Sequence, residues 1–420
     1  MKQNYLDKFQ KAVENSRFNK LNQKDREFVK NFALNYKLSY QEIKTLCDIG
    51  VDFSMWREEP LHKIATLNTN PKNPKLEKKR ILDEIKNRWQ KLKNSPMRFD
   101  NFKFYKPRKI SLNSMEKDEI GFGTCPVASF KTRCCNLLTL DAVESCGFDC
   151  SYCSIQSFYN EDKIVFNKKF KENLEKIRLN PDEIYHIGTG QSSDSLMWGN
   201  REGILDALFK FAKDNPNVIL EMKTKSDNIS YFLQNEVPSN IICTWSLNPQ
   251  IVIDHEEHLT ASLKDRLKAA KTLHDRGVLV GFHFHPMIYY EGWREGYREI
   301  CEFLTENFDP KNVAMVSIGT LTFIKSVIKK IRDRDFYSKI LQIPMVDADG
   351  KLSYPKEIKV EMFKFLYDSL KKWHKEVYFY MCMENHSLWK DVFGFEYPTN
   401  ESFEMDMKIN YMTKITKKRN

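Results

Sequence analysis

No stretch of this 420-residue chain is apolar for long enough to span a bilayer, and its first residues, MKQNYLDKFQKAVENSRFNK, lack the apolar centre of a secretory signal. Both absences predict a soluble cytoplasmic protein without a membrane partner. Ten cysteines are too few for a disulfide scaffold. No internal repeat or long low-complexity tract is visible, which argues against a solenoid or a largely disordered chain. What is present is ample core material: 41% hydrophobic residues with abundant Phe and Tyr, and a length that predicts two or three domains.

The net charge of +10 is unevenly placed. Residues 1–110 hold 26 Lys and Arg against 13 Asp and Glu, so the rest of the chain is slightly acidic. This front part reads as helices: DKFQKAVENSRF, KDREFVKNFALNY, SYQEIKTLCDIG with Ser39 as N-cap and Gly50 as stop, and LEKKRILDEIKNRWQKLKN. The third is compatible with a helix-turn-helix. Basic helices interleaved with Trp56, Trp89, Phe99, Phe102, Phe104 and Tyr105 could track a phosphate backbone of DNA or RNA. A solvated lysine-rich face that packs its aromatics inward is the competing reading. Joints are expected at 70–76 and 106–114, and the basic end KITKKRN is expected to fray.

Cysteine is concentrated in one place. Cys146, Cys150 and Cys153, in ESCGFDCSYCSIQ, offer three thiolates at C-x3-C-x2-C spacing with no fourth partner at a matching interval. A [4Fe–4S] cubane normally takes four cysteines, so three leave one iron open, whereas a structural zinc site is closed by four ligands. A zinc knuckle or three reduced thiols are the plain alternatives. The spacing, with Tyr152 before the last cysteine, resembles the radical S-adenosylmethionine (SAM) superfamily. That resemblance implies an open iron that chelates SAM and a reduced cluster that passes an electron to the sulfonium, releasing methionine and a 5′-deoxyadenosyl radical. It also implies a flavodoxin- or ferredoxin-type reductant.

From residue 136 short apolar strands alternate with helical runs: LLTLDAV, EIYHIGT, VILEMKT, IICTWSL, VLVGFHFHP and VAMVSIG. The pattern predicts an α/β fold, a partial (β/α)6 TIM-like radical SAM barrel over 116–330, behind a basic, mainly helical region at 1–115. Residues 331–420 are expected to add a closing hairpin at Asp347–Gly350, an amphipathic helix, a strand VYFYMCME and a basic tail. Lys351, Tyr354 and Lys356 beside that turn could wedge into DNA, or the hairpin could simply close the fold.

In such barrels the site gathers at the C-terminal strand ends. Those ends carry Gly188, Gly190, Asp194, Lys225, Ser246 and Asn248 as candidate cofactor contacts, beside Tyr152. The glycines let backbone approach, Ser246, Asn248 and Asp194 can hydrogen-bond the ribose and amine of SAM, and Lys225 can pair with its carboxylate. Any one of them alone would more often be a cap or a solvated loop group; recurrence at successive strand ends raises them. His283 and His285 share a face that points into the barrel, either toward substrate or as a buried hydrogen-bonded pair. With Tyr152 and Tyr289 they are the candidate catalytic residues.

Residues of about 136–300 resemble the spore photoproduct lyase family more narrowly. The resemblance is clearest in VGFHFHPMIYYEGWREGYREI, with support from Thr224-Lys225, Ser246-x-Asn248 and Ser193-Asp194. It implies a radical that abstracts hydrogen from a thymine dimer in DNA and restores two thymines. Two positions depart from it. The family's hydrogen-returning cysteine is matched by Gln191, and the tyrosine after the third cluster cysteine by Ser154. Tyr152, Tyr289 or Tyr290 could then return the hydrogen, or the substrate differs. A small metabolite or peptide substrate stays open, as does a non-enzymatic iron–sulfur protein that binds nucleic acid. Cys125, Cys134 and Cys135, just upstream of the first strand, are either buried or redox-active thiols or part of a second metal site.

Overall fold

The computed structural model describes residues 2–68, 71–100, 105–125, 131–158 and 162–419. The chain divides into two compact units, Met1–Lys106 with Ile324–Met345, and Pro107–Phe323 with Val346–Asn420. The segment at 324–345, which the sequence places at the seam between barrel and closing region, therefore belongs to the N-terminal unit.

That first unit is helical, with Lys2–Glu14, Gln23–Tyr36, Tyr40–Trp56, Leu61–Ile64, Pro74–Lys93 and Lys325–Asp333. Ser39 caps the third helix as expected, in a capping box with Glu42. Gly50 does not stop it. A Cβ there would come within 2.6 Å of the Leu21 side chain and 2.9 Å of Leu61, so glycine serves close packing in mid-helix. The same helix buries Ile43, Leu46, Cys47, Ile49, Val51, Phe53, Met55 and Trp56. A helix buried on that many sides cannot enter a DNA groove, which removes the helix-turn-helix reading. Trp56 is fully buried, and the Trp89 indole N–H donates to Asp52 at 2.9 Å, so these aromatics pack inward. Phe102 and Phe104 lie outside the described residues.

The second unit carries an open sheet. Seven parallel strands follow in chain order: β1 Leu138–Asp141, β2 Tyr185–Thr189, β3 Val218–Thr224, β4 Ile241–Ser246, β5 Leu279–Met287, β6 Val313–Thr320 and β7 Tyr378–Met381. An antiparallel strand, Gly121–Thr124, lies outside β1, and the sheet ends there and at β7. The six expected strands are all present. The seventh, which the sequence assigns to the C-terminal region, joins the barrel because its four residues are buried and pair with Met315–Ile318 of β6. Crossover helices such as Ile204–Asp214 bury one apolar face, with Leu205, Leu208, Phe209 and Ala212 turned to the sheet side of the unit.

Two further details differ from the sequence reading. The expected hairpin forms, with Asp349 and Gly350 both at positive φ between Val346–Ala348 and Lys351–Ser353, but Tyr354 is buried and its hydroxyl accepts from the Tyr289 backbone N–H at 3.0 Å. It is unavailable as a wedge. The basic end is helical through Asn400–Arg419, tied down where the Lys414 ammonium donates to the carbonyls of Pro310 and Val313 at 2.9 and 2.7 Å. Among the described residues no helix is long and apolar enough to cross a membrane.

Candidate functional site

The cysteine loop follows β1 and is held from both sides. The Arg108 guanidinium donates to the carbonyls of Cys146 at 2.9 Å and Phe148 at 3.2 Å. Opposite, residues 257 and 258 form a two-residue antiparallel ladder with the loop, Glu257 against Cys150 and His258 against Asp149. The Ser151 N–H donates to the Glu256 carbonyl at 2.8 Å, and the Ser151 hydroxyl donates to the Glu256 carboxylate. Gly147 fits only because it lacks a side chain: a Cβ would meet the Trp198 ring at 2.8 Å.

All ten cysteines are free thiols. The three of the loop lie close together: Cys153 raises the Cys146 thiol electrostatically, and Cys153 and Cys146 raise that of Cys150. Burial is the larger cause, pushing Cys146 up to about 12 and Cys150 well above the usual thiol range. A metal that binds here must displace thiol protons. Among the described residues no set of three or more His, Cys, Asp and Glu side chains is placed to hold a single metal ion. A cubane sets each cysteine on a different iron, so three soft donors spread along one braced loop suit an iron–sulfur cluster.

Beside the loop, several residues singled out from the sequence converge on one carboxylate that was not, Glu257. Its Oε1 accepts from the Tyr152 hydroxyl, from the Lys225 ammonium at 3.1 Å and from the Asn248 amide at 2.8 Å. Its Oε2 is paired with the Arg266 guanidinium at 2.7 Å. Arg266 also donates to the Ser246 carbonyl at 2.8 Å, and the Tyr297 hydroxyl donates to Asn248 Oδ1 at 2.7 Å. Burial alone would raise the Glu257 carboxyl, but Lys225 and Arg266 overcome it and hold the group well below the usual carboxylate range. Tyr152 moves the other way, pushed well above the ordinary phenol value by burial and by the Glu257 charge.

Asp194 is half-buried and accepts from the Leu196 and Met197 N–H groups, the Thr224 hydroxyl and the Lys225 N–H, so it clamps the ends of β2 and β3 together. Gly190 takes φ +87° in that turn, and Gly188 packs against Leu137. His283 lies in the barrel interior with both ring nitrogens occupied, Nε2 by Glu221 at 2.8 Å and Thr244 at 3.1 Å, and Nδ1 by Ser317. His186 reaches the other Glu221 oxygen at 2.8 Å. His285 precedes a cis proline and is pushed down to about 3 by burial. Tyr289, just past the end of β5, has its ring tilted against Trp293 and edge-on to Tyr354. The structure thus brings Tyr152, Lys225 and Asn248 together near the cysteines and sets His283 among a separate buried network.

Cys125, Cys134, Cys135 and Cys382 group around the Lys223 ammonium. A hydrogen bond from Cys135 holds the Cys134 thiol down at about 6, while that same bond and burial push Cys135 well up and burial takes Cys382 to about 12. A thiol of that kind is about nine-tenths thiolate at pH 7. Iodoacetamide at neutral pH is therefore expected to label Cys134 ahead of Cys135, Cys146 and Cys382, with a rate that climbs through pH 6 and flattens above pH 7. Peptide mass mapping over a pH series checks this, and first labelling at Cys382 would contradict it.

An open parallel α/β barrel with a three-cysteine loop after its first strand defines a radical SAM enzyme. The sequence model described as "Spore photoproduct lyase" matches residues 139–382. The spore photoproduct lyase of Clostridium acetobutylicum is 25% identical over 248 residues, covering 56% of this chain and 68% of that protein. That of a Geobacillus species is 24% identical over 183 residues, covering 42% and 52%. The solved structure of a spore photoproduct lyase mutant with bound AdoMet and dinucleoside spore photoproduct superposes with a TM-score of 0.53 at 20% identity, over 64% of this chain and 82% of that one. A second, spore photoproduct lyase complexed with dinucleoside spore photoproduct, gives 0.53 at 19% identity over the same shares. The chain belongs to the spore photoproduct lyase family. Membership in a family of radical SAM enzymes sets aside the non-enzymatic reading.

Proposed function

We propose that Cys146, Cys150 and Cys153 hold a [4Fe–4S] cluster, that SAM binds beside them, and that the substrate is damaged or modified nucleic acid of the pyrimidine-dimer type. The observation that carries this is the braced three-thiol loop set next to the Tyr152, Lys225 and Asn248 side chains in a chain of this family. When bound, the cluster supplies one electron to the sulfonium of SAM, which yields methionine and a 5′-deoxyadenosyl radical. The protein's part is to bind and orient. Lys225, already charged against Glu257, offers N–H donors to a carboxylate, and Asn248, fixed by Tyr297, offers an amide to the amine or ribose. The buried walls of the barrel keep water from the reacting atoms.

One of these solved neighbours holds AdoMet with dinucleoside spore photoproduct and the other the dinucleoside spore photoproduct, which favours the same pair here. The basic front of the chain favours a polyanionic substrate. Such a site needs a reducing compartment, the cytoplasm, and a flavodoxin- or ferredoxin-type electron donor. A small metabolite or peptide is the second reading, favoured by Gln191 where the family has its hydrogen-returning cysteine.

Anaerobic turnover of dinucleoside spore photoproduct with dithionite tests the proposal, following thymidine and 5′-deoxyadenosine together. Coupled formation is expected; 5′-deoxyadenosine without thymidine would move the substrate to the second reading, and the absence of both products would overturn the assignment. Binding to duplex DNA is expected to weaken with salt, at a log–log slope of about −0.9 per phosphate contacted. Fluorescence anisotropy from 50 to 200 mM salt (~fourfold range) measures it, and the absence of binding at the low end would remove nucleic acid as substrate.

A further inference from the structure

Tyr152, Lys225 and Asn248, three side chains that face the proposed cofactor site, share one acceptor atom, Glu257 Oε1. That residue sits in a ladder only two residues long, whose partner strand is the cysteine loop itself, Asp149–Cys150. Backbone and side chain therefore act on the same loop from the same point. Glu257 is 1% exposed, so its charge is not diluted by water, and it lies close enough to Cys150 to act on it electrostatically.

We propose that Glu257 is a positioning residue for the cluster loop and the SAM-facing side chains, and that its fixed negative charge sets how readily the cluster is reduced. The inference rests on the cofactor reading above. Its first part concerns the protein without cofactor. One carboxylate that gathers a phenol, an ammonium, an amide and a guanidinium holds all four in one arrangement before any ligand arrives, so little ordering remains to be done on binding. The second part is electrostatic. The potential of an iron–sulfur cluster follows the net charge and hydrogen bonding around it, and a buried carboxylate beside a ligand disfavours the added electron. Lys225 and Arg266 work in the opposite sense, so removing Glu257 takes away the carboxylate they share and leaves Glu256, on Ser151, as the remaining buried carboxylate beside the loop.

The test uses the full chain with Glu257→Gln and Glu257→Ala, plus Tyr152→Phe as a variant that removes one contact and leaves the carboxylate. In the cofactor-free protein, hydrogen exchange of the amides at 148–153 is expected to quicken by about ten- to a hundredfold in Glu257→Ala, the worth of a hydrogen bond to a charged group. In Glu257→Gln, which keeps an acceptor, it is expected to change by less than about threefold. After anaerobic reconstitution, Glu257→Gln is expected to bring the cluster's midpoint potential to a more positive value by EPR-monitored titration, while Tyr152→Phe leaves it near wild type. A purely structural brace would not move the potential in Glu257→Gln. Unchanged exchange in Glu257→Ala overturns the positioning role, and an unchanged or more negative potential in Glu257→Gln overturns the charge role. Should wild-type protein take up no cluster, the functional reading fails, yet the exchange measurement still decides the first part.

Discussion

Cys150→Ala is expected to abolish cluster uptake and SAM cleavage while the fold survives. Wild-type protein reconstituted anaerobically should carry about four irons per chain, one cubane. With Cys150 gone only two thiolates remain on the loop, too few to hold the cube against dissociation, and iron should fall to the background of a thiol-free control. 5′-Deoxyadenosine formation is then expected to fall by at least about ten-thousandfold, which corresponds to about 5.4 kcal/mol of lost transition-state stabilisation. The fold should persist because the loop is tied through its backbone and through Ser151 and Tyr152, none of which the substitution touches. Losing one buried sulfur costs on the order of 1 kcal/mol. Unchanged far-UV circular dichroism with lost iron is the expected pair of results. Retained iron and retained SAM cleavage in Cys150→Ala would sink the ligand assignment, and about eight irons in wild type would point to a second cluster among the thiols near Lys223.

The barrel strands were readable because each is a short, mostly apolar run set between helical stretches, and the polar side chains inside them, such as Glu221, His283 and Ser317, are too few to hide that pattern. The place of VYFYMCME in the sheet was not, since parallel pairing with a strand some sixty residues earlier leaves no local trace. Likewise Ser39 and Gly50 are equally good helix-end signals, and only the tertiary neighbours Leu21 and Leu61 reveal that the second is a packing site. In the site, spacing alone exposed the three cysteines, and strand-end position exposed Lys225 and Asn248. Glu257 stayed hidden because the run His255-Glu256-Glu257-His258 reads as a solvated acidic turn. Its buried placement and four converging donors exist only in three dimensions. Tyr297 carried a signal in the EGYR element, whose Gly296 is explained by close approach to Pro249: a Cβ at that position would lie 3.0 Å from the proline ring.

Arg332→Ala is expected to be the most destabilising single change in the N-terminal unit. Asp52 is fully buried in the helix Tyr40–Trp56, and Arg332, from the helix Lys325–Asp333, grips it in two parallel bonds of 2.7 Å. The Trp89 indole donates to the same carboxylate at 2.9 Å. Truncating the arginine leaves that carboxylate in the interior with one neutral hydrogen-bond donor and only the longer-range charge of Lys93, and breaking a buried pair in this way costs about 3–5 kcal/mol. Against a usual total of about 5–15 kcal/mol that is a large share. It corresponds to a fall of roughly 10–20 °C in the melting transition of a unit of this size. The double variant Asp52→Leu with Arg332→Met should recover more than half of the loss, because the cost lies in the uncompensated charge and a well-packed apolar pair of similar volume removes it. Differential scanning calorimetry of the two variants distinguishes the cases. A drop below about 1 kcal/mol in Arg332→Ala, the level of a solvent-exposed ion pair, would show that 324–345 does not anchor the N-terminal helices; a double variant no better than the single would show that packing around Arg332, rather than the charge of Asp52, is what the segment contributes.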